Sequence, residues 1–255
     1  RAVMQAASAT VKRVVLELGG KSAHIILADA DLEHAIPAAA GGIFKNAGQR
    51  CLSGSRLLVA EEIADEVESR VAEIAESLVV GDPFDPATHV GAMIDDRAVE
   101  SAEAFVTHAL ADGLRLVAGG HRVEELRPGS FFRPTVLVGA RRDSFAAQEE
   151  AFAPILTIIR VKDAEEAVDV ANDSRYGLTG AVWSRDVEKA TAMAHRIRAG
   201  YIWVNTFGPV FGDTPYGGYK ASGYGREAGI EGYHEYTELK SILVDTTGGT
   251  TALRF

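Results

Sequence analysis

The residues best suited to do chemistry are one cysteine and one glutamate. Cys51 is the only cysteine in 255 residues and stands in the segment Gly48-Gln49-Arg50-Cys51-Leu52. A thiol reacts as its thiolate, and at an unperturbed pKa of about 8.5 only a few per cent is ionised at neutral pH. A nucleophilic cysteine therefore needs a nearby base or positive field. Glu17 follows the apolar run Val14-Val15-Leu16 and precedes Gly19-Gly20, which indicates a carboxylate at the end of a buried strand. The two residues form a candidate nucleophile and base.

An alternation of strands and helices must position these two residues. Period-two and continuous apolar runs predict strands over residues 11–18, 23–27, 56–60, 115–118, 135–138, 156–161, 177–184, 201–205 and 240–244. Amphipathic spacing predicts helices over residues 1–10, 60–79, 95–113, 163–172 and 186–199, and another that Asp29 or Asp31 caps and that runs toward Phe44. Residues 144–154 and 206–229 are predicted to be loops, and the tail from Thr246 onward to be loose. Helix, glycine and strand in alternation indicate a layered α/β fold with a mostly parallel sheet, in which strand ends form ligand crevices.

Composition narrows the classes of function. The net charge of −10 argues against a nucleic-acid or anionic-membrane partner, because both need clustered Lys and Arg. The longest apolar runs are shorter than the roughly 18 residues of a membrane span, and no charged-then-apolar leader is visible. One cysteine gives no internal disulfide, so a cytoplasmic location is expected. The seven histidines lack metal-ligand spacing, and no metal site is expected.

Four motifs, in order and spacing, resemble the NAD(P)-dependent aldehyde dehydrogenases. They are Glu17-Leu18-Gly19-Gly20-Lys21-Ser22, Gly48-Gln49-Arg50-Cys51, Glu149-Glu150-Ala151-Phe152-Ala153-Pro154, and Pro215-Tyr216-Gly217-Gly218-Tyr219-Lys220-Ala221-Ser222-Gly223. The resemblance covers essentially the whole chain and corresponds to the second half of such an enzyme. It implies a three-layer catalytic domain with a mostly parallel sheet, plus the tail of a Rossmann-like cofactor domain. The implied divisions are residues 1–19 for the end of the dinucleotide-binding domain, 20–218 for the catalytic domain, 219–239 for a return segment packing on the cofactor domain, and 240–255 for an oligomerisation strand and tail.

The resemblance also implies a reaction. Cys51 would attack the aldehyde carbon, its backbone N–H would help to hold the oxyanion, and hydride would pass to NAD or NADP. Glu17 would activate water to hydrolyse the resulting thioester. A carboxylate beside an apolar strand end is expected to have a raised pKa, which suits a base working near neutral pH. The product would be a carboxylic acid, and the full-length enzyme would be a homodimer or homotetramer.

Further residues receive roles by the same resemblance. Glu150 would bind the nicotinamide ribose hydroxyls and Phe152 would pack against the nicotinamide, since an extended segment points both side chains the same way. Phe211 and Tyr216 would wall the aldehyde tunnel, with Asn205 in the same lining region. The family usually has glycine where Ala153 stands, so a methyl group is expected near the nicotinamide.

Several alternatives stay open. Lys21 lacks the spacing of a phosphate-binding loop and is interpreted as structural. Arg50 could stabilise the thiolate, attract an acidic aldehyde or point away, whereas Phe207, Phe211 and Tyr216 favour an apolar or aromatic aldehyde. A cofactor-independent thiol esterase using the same Cys51 and Glu17 is the second hypothesis. An inactive folded or oligomerising fragment is the third, and the isolated fragment is expected to be nearly inactive as a dehydrogenase.

Overall fold

The structure is a computed structural model and describes residues 1–246. Its strands are β1 (Leu16–Glu17), β2 (Ala23–Ile26), β3 (Arg56–Ala60), β4 (Arg115–Ala118), β5 (Thr135–Val138), β6 (Ile155–Val161), β7 (Thr179–Trp183), β8 (Tyr201–Val204) and β9 (Gly223–Tyr224). Within the described residues, seven of these strands form one sheet in the order β4-β5-β6-β3-β2-β7-β8. All neighbours in it are parallel except β4, which is antiparallel to β5. The predicted, mostly parallel sheet is confirmed.

Helices cover both faces of this sheet. They are α1 (Ala2–Ser8), α2 (Leu32–Phe44), α3 (Ala64–Ser77), α4 (Asp96–Ala111), α5 (Phe145–Gln148), α6 (Ala164–Asn172), α7 (Val187–Arg196) and α8 (Gly229–Glu235). Four of them begin after an aspartate whose carboxylate accepts a backbone N–H of the first turn, which satisfies an otherwise free donor. These caps are Asp31, Asp95, Asp163 and Asp186. The predicted starts of these helices are confirmed, and Asp31 rather than Asp29 caps α2.

The core has two halves, one on each side of the sheet. Ile25 and Leu58 point into a cluster with α4, α6 and α7, whereas Ile26 and Leu57 point into a cluster with α2 and α3. Successive residues of one strand face opposite sides, so strands covered on both faces must be apolar throughout. This requirement explains the continuous apolar runs of β2 and β3, and it confirms the three-layer α/β fold.

The register of β2, β3 and β6 sets where the motifs meet. Ala23 pairs with Arg56, and Arg56 pairs with Thr157, so the three strands begin at the same edge of the sheet. Gly19-Gly20 precedes β2, Cys51 precedes β3 and Glu150 precedes β6. The motifs therefore gather at the amino ends of the parallel strands. The expectation of a crevice at a strand's carboxyl end holds only for Glu17, which ends the small strand β1 outside this sheet.

One predicted strand is wrong in part, and another has no pairing partner among the described residues. Residues 11–15 of the predicted strand 11–18 have no ladder partner: Val11 is 91% exposed with a positive φ of 53°. Only Leu16 and Glu17 pair, antiparallel to Tyr224 and Gly223, because β9 offers two residues. The predicted last strand, 240–244, forms no ladder in the described part of the chain, and its Ile242, Leu243 and Val244 are exposed. Apolar composition alone does not make a strand without a partner.

Two predicted loops contain regular structure. Residues 144–154 hold α5, whose Ala146 and Ala147 are fully buried. Residues 206–229 hold β9, and α8 begins at Gly229. The predicted loose tail lies outside the described residues except for Thr246. Among residues 1–246, no helix is both long and apolar enough to cross a membrane.

Candidate active site

A strained loop presents Cys51. A single 3₁₀ turn, Lys45–Gly48, follows α2, and Asn46, Ala47 and Gly48 all have positive φ, at 56°, 50° and 68°. Such a run is costly for residues with a Cβ and persists only where the surroundings enforce it. A Cβ on Gly48 would overlap the carbonyl of Ala153, so only glycine fits there. The loop is thereby held against the Glu150 segment.

The backbone of Cys51 packs on the Gly19-Gly20 turn. A Cβ on Gly20 would lie 2.7 Å from the Cys51 carbonyl oxygen, closer than side chains allow. The thiol itself is half-buried, and it forms no disulfide. Two motifs far apart in sequence are thus in direct backbone contact, with the sulfur still reachable.

The Cys51 sulfur lies beside the hydroxyl of Tyr216. The Sγ to Oη distance is 3.6 Å, within the range in which sulfur takes part in hydrogen bonds. Tyr216 is only 8% exposed. Its burial, then its contact with Cys51, raise the pKa of Tyr216 well above its usual range. The phenol therefore stays protonated and is able to donate.

Glu17 is shielded and lacks a polar partner. Both of its carboxylate oxygens are buried and find no hydrogen-bond partner among residues 1–246. Burial, then the charge of Glu227, raise the pKa of Glu17 to about 7, against an opposing effect of Arg226. The expectation of a raised pKa is confirmed. A carboxylate of this kind is half ionised near neutral pH and suits a general base.

Glu17 and Cys51 meet the same short segment of chain. A Cβ on Gly217 would lie 3.0 Å from Glu17 Oε1, and the hydroxyl of the preceding Tyr216 contacts Cys51 Sγ. The charges of both Cys51 and Glu17 act on the Tyr216 phenol. The two predicted catalytic residues therefore both lie beside Tyr216-Gly217, and the space next to this segment is the candidate crevice.

Glu150 is anchored on the glycine turn that separates Glu17 from Cys51. Its Oε1 accepts the backbone N–H of Gly20 at 2.9 Å. A side chain on Gly19 would overlap this carboxylate, which explains the paired glycines. Glu150 thus lies next to the crevice with the lone pairs of Oε2 still unused.

Phe152 does not continue an extended segment, so that part of the prediction is wrong. Its φ is +48°, and its ring is 48% exposed. The chain bends here because Ala153 must return to the core, where it is 2% exposed and its carbonyl meets Gly48. The Ala153 methyl group is consequently packed in the core.

The chemistry of Glu150 and Phe152 fits part of a nicotinamide dinucleotide. A carboxylate beside a backbone turn accepts hydrogen bonds from ribose hydroxyls, and an exposed aromatic ring offers a flat apolar face to a pyridinium. In the described residues, no group of three or more His, Cys, Asp or Glu side chains is arranged to hold a metal ion.

The other predicted lining residues have contacts elsewhere in the fold. The Phe207 ring packs between His24 and Trp203, with centroids 5.2 and 4.7 Å away, and Phe211 is 60% exposed. The Asn205 side-chain amide donates to the Ser184 carbonyl and accepts the Ser184 N–H, which links the ends of β7 and β8. Tyr216 is the predicted lining residue whose hydroxyl lies within hydrogen-bond distance of Cys51 Sγ, and the roles of the others stay predictions.

Lys21 and Arg50 have different surroundings. The Lys21 amine is buried over the Phe105 ring at 5.3 Å, and burial, then Arg56, lower its pKa to about 7. The interpretation of Lys21 as a structural residue stays a prediction. Arg50 lines a narrow cavity together with Glu150 and Phe152.

Sequence reasoning missed the groups that tune Glu17. Glu227 is joined to Tyr216 by two backbone hydrogen bonds, and Arg226 stands beside it. Both follow Gly223-Tyr224-Gly225, directly after the last motif. The closeness of these two charges to Glu17 became apparent only when the paired segments were seen in the fold.

Comparisons with known proteins follow this geometry. A sequence profile described as the aldehyde dehydrogenase family matches residues 1–242. A betaine aldehyde dehydrogenase of Bacillus subtilis is 42% identical over 246 residues, covering 96% of this chain and 50% of the relative. The chain thus spans about half the length of the curated relative it matches.

Solved structures agree with this match. A Staphylococcus aureus betaine aldehyde dehydrogenase in complex with NAD+ superposes with a TM-score of 0.90 at 40% identity, covering 92% of this chain and 47% of that one. A putative aldehyde dehydrogenase from Burkholderia cenocepacia gives a TM-score of 0.96 at 39% identity, covering 100% and 52%.

Proposed function

The chain belongs to the aldehyde dehydrogenase family, and we propose that it carries the nucleophile and the base with which such an enzyme oxidises an aldehyde to a carboxylic acid. The observation that supports this most is the convergence of Cys51 and Glu17 on Tyr216-Gly217. A reachable sulfur and a shielded carboxylate on one crevice are what acyl transfer through a thioester requires.

Cys51 is the proposed nucleophile. Its thiolate adds to the aldehyde carbon, and the backbone N–H of Cys51 donates to the developing oxyanion. The rigid loop supports this role, because a donor held by its surroundings needs no reorganisation when charge develops. When bound, NAD or NADP would supply the hydride acceptor, and Cys51 would then hold the acyl group as a thioester.

Glu17 is the proposed base for hydrolysis of the thioester. Water oxygen bonds to the acyl carbon, the C–S electron pair returns to sulfur, and the water proton passes to Glu17. A pKa of about 7 places the carboxylate close to the proton affinity that this transfer needs near neutral pH.

Glu150 and Phe152 are the proposed cofactor contacts within this chain. The Oε2 atom of Glu150 would accept from the nicotinamide ribose, and the exposed Phe152 ring would pack on the nicotinamide. Residues outside this chain would hold the adenosine end of the cofactor. The side-chain donor that completes the oxyanion site would also come from outside this chain. Choice between NAD and NADP rests on that part.

Exposed apolar side chains support the proposed division into domains. In residues 1–19, Val3, Met4 and Val11 line or border a groove of about 840 Å³ that also includes Tyr224. Residues 219–239 carry the exposed Ile230 and Tyr233. We assign both segments to packing on a dinucleotide-binding domain, and residues 20–218 to the catalytic domain.

Residues 240–255 are the proposed oligomerisation strand and tail. Ile242 and Leu243 are 80% and 98% exposed in this chain, and pairing with a second subunit would bury them. A homodimer or homotetramer of the full-length enzyme is therefore expected by light scattering. A monomeric full-length enzyme, or a Leu243→Asp variant that assembles normally, would contradict the assignment.

Betaine aldehyde is the first substrate to assay. It is the aldehyde named for the two betaine aldehyde dehydrogenases above, and an acidic chain with aromatic rings at Tyr216 and Phe211 suits a quaternary ammonium. Benzaldehyde and an acidic semialdehyde test the alternatives that the aromatic residues and Arg50 suggest. A kcat/KM ranking of the three decides among them.

The reaction is tested by Cys51→Ser in the full-length enzyme that contains this chain. Aldehyde oxidation followed as NAD(P)H absorbance should fall by more than about a thousandfold, because the hydroxyl is a far weaker nucleophile. Ala104→Ser, which adds the same hydroxyl on the exposed surface of α4, should leave the rate unchanged. Full activity of Cys51→Ser would exclude the proposal.

The second candidate, a cofactor-independent thiol esterase, uses the same pair. The observation in its favour is that Cys51 and Glu17 both lie beside Tyr216-Gly217 without any group from outside the chain. Sustained turnover of p-nitrophenyl acetate by the 255-residue chain, with no nucleotide present and no aldehyde oxidation in the full-length enzyme, would favour it.

A further inference from the structure

We propose that Tyr216 is a further catalytic residue, whose hydroxyl donates a hydrogen bond to the Cys51 sulfur and so stabilises the thiolate. The inference rests on the proposed function, since it concerns the same sulfur. It assigns to Tyr216 a chemical role beyond lining a tunnel for the aldehyde, a role that a phenylalanine in its place could not perform.

The phenol is held in position from three sides. Its backbone N–H donates to the Glu227 carbonyl at 2.7 Å, and Glu227 N–H donates to the Tyr216 carbonyl at 2.6 Å. The Tyr201 ring packs against the Tyr216 ring at a centroid distance of 5.9 Å, tilted by 49°. Side-chain motion is thus limited, and the hydroxyl is directed at one atom.

That atom is the Cys51 sulfur. Across residues 1–246, the hydroxyl oxygen and the sulfur are each other's only hydrogen-bond partner, at 3.6 Å. If the partner of a buried hydroxyl is removed, little water reaches the hydroxyl to replace it. The full contribution of that hydrogen bond is then lost.

Protonation states decide which atom donates. A thiol and a phenol can each donate, but a thiolate has no proton, so the phenol must donate once sulfur ionises. Burial and the negative charges of Cys51, Glu17 and Glu227 raise the pKa of Tyr216, which keeps its proton in place. Arg226 is the cation that acts on the neighbouring Glu17. A hydrogen bond to an ionised sulfur is stronger than one to a neutral thiol, so the thiolate gains more than the thiol.

The same bond acts when the thioester breaks. As the C–S electron pair returns to sulfur, negative charge develops on the atom that Tyr216 faces. The hydroxyl therefore stabilises the leaving thiolate while the water proton passes to Glu17. No additional reactant is needed, and the phenol proton stays on oxygen throughout.

Alkylation of Cys51 tests the proposal without cofactor or aldehyde. Second-order rate constants for iodoacetamide are measured on the 255-residue chain from about pH 5.5 to about pH 10. This range spans the ionisation of a cysteine thiol. With Tyr216→Phe, the rate at pH 7 should fall about fivefold to tenfold, the midpoint of the profile should move to higher pH, and the plateau at high pH should be retained. Thiolate absorbance near 240 nm should shift with the same midpoint.

A matched control and two outcomes make the test decisive. Tyr224→Phe removes a hydroxyl from a tyrosine that is 63% exposed and should leave the profile unchanged. An unmoved midpoint in Tyr216→Phe would overturn the proposal, and so would a rate reduced equally at every pH, which signals altered packing. The readout is thiol ionisation, so failure of this proposal would leave the proposed aldehyde oxidation by Cys51 unaffected. The Cys51→Ser variant tests that oxidation separately.

Discussion

Glu17 acquires the properties of a base from its surroundings. Its neighbours in sequence are apolar residues and glycines, which predict a raised pKa but do not identify the charges that act on it. In the fold, both oxygens are shielded from water and stand near Glu227, so the ionised form is disfavoured. The group therefore exchanges its proton near neutral pH, where an ordinary carboxylate is ionised throughout.

Hydrolysis of an acyl group on Cys51 should follow this ionisation. With p-nitrophenyl acetate, the steady-state rate after the acylation burst is expected to rise with pH through a midpoint near 7, because only ionised Glu17 accepts the water proton. Glu17→Gln should lower this rate about a hundredfold or more and remove the midpoint, while the burst remains. Glu188→Gln, an exposed carboxyl on α7, should change neither. A midpoint that persists in Glu17→Gln would identify a different base.

The elements that matter most for the site are those without regular repeats. α2 and β3 are specified by their apolar periodicity, but the loop between them depends on contacts from outside. Three successive residues with positive φ are stabilised because Gly48 meets the Ala153 backbone and Gly20 meets the Cys51 carbonyl. The position of the nucleophile is thus a property of three segments packed together.

Three glycine-to-alanine variants separate backbone strain from overlap. Gly212→Ala, with ordinary φ and open space around it, should have no effect. Gly113→Ala, with φ of +92° but no atom within 4 Å, should cost about 1 kcal/mol in free energy of unfolding. Gly48→Ala adds overlap with a backbone carbonyl and should cost about 3 kcal/mol or more, with slower alkylation of Cys51. Urea unfolding measures the series, and equal costs at Gly48 and Gly113 would contradict the packing argument.

At the scale of the whole molecule, folding constrains groups that water would otherwise ionise. His24 is fully buried between Trp183 and Phe207, and neither ring nitrogen has a hydrogen-bond partner in the described part of the chain. Burial lowers the pKa of His24 to about 3. The unfolded chain binds this proton below about pH 6.5 and the folded chain does not, so stability falls as pH falls through that window.

Acid sensitivity should therefore depend on His24. Between pH 7 and pH 5 its share of the loss in unfolding free energy is about 2 kcal/mol, from a slope of about 1.4 kcal/mol per pH unit. His24→Leu should show a correspondingly smaller loss in urea unfolding at the two pH values. His195→Leu, on the exposed face of α7, should behave like the unsubstituted chain. An unchanged loss in His24→Leu would mean that other groups dominate.

The family, the layered fold and the candidate nucleophile and base could all be predicted from the amino-acid sequence. Apolar periodicity and aspartate caps act within a few residues, so β2, β3, α3 and α6 could be predicted from local pattern. Cys51 and Glu17 could be named because each stands in a short motif with distinctive neighbours.

How those residues act on one another depends on contacts that form only in the tertiary structure. Tyr216 lies 165 residues from Cys51, and no local pattern records that its hydroxyl meets the sulfur. The pKa of Glu17 and the bend at Phe152 likewise depend on the segments that pack against these residues. Residues 240–244 form no strand here because no described segment pairs with them. Desolvation, hydrogen-bond partners and backbone overlap arise between distant segments, and they exist only once the chain has folded.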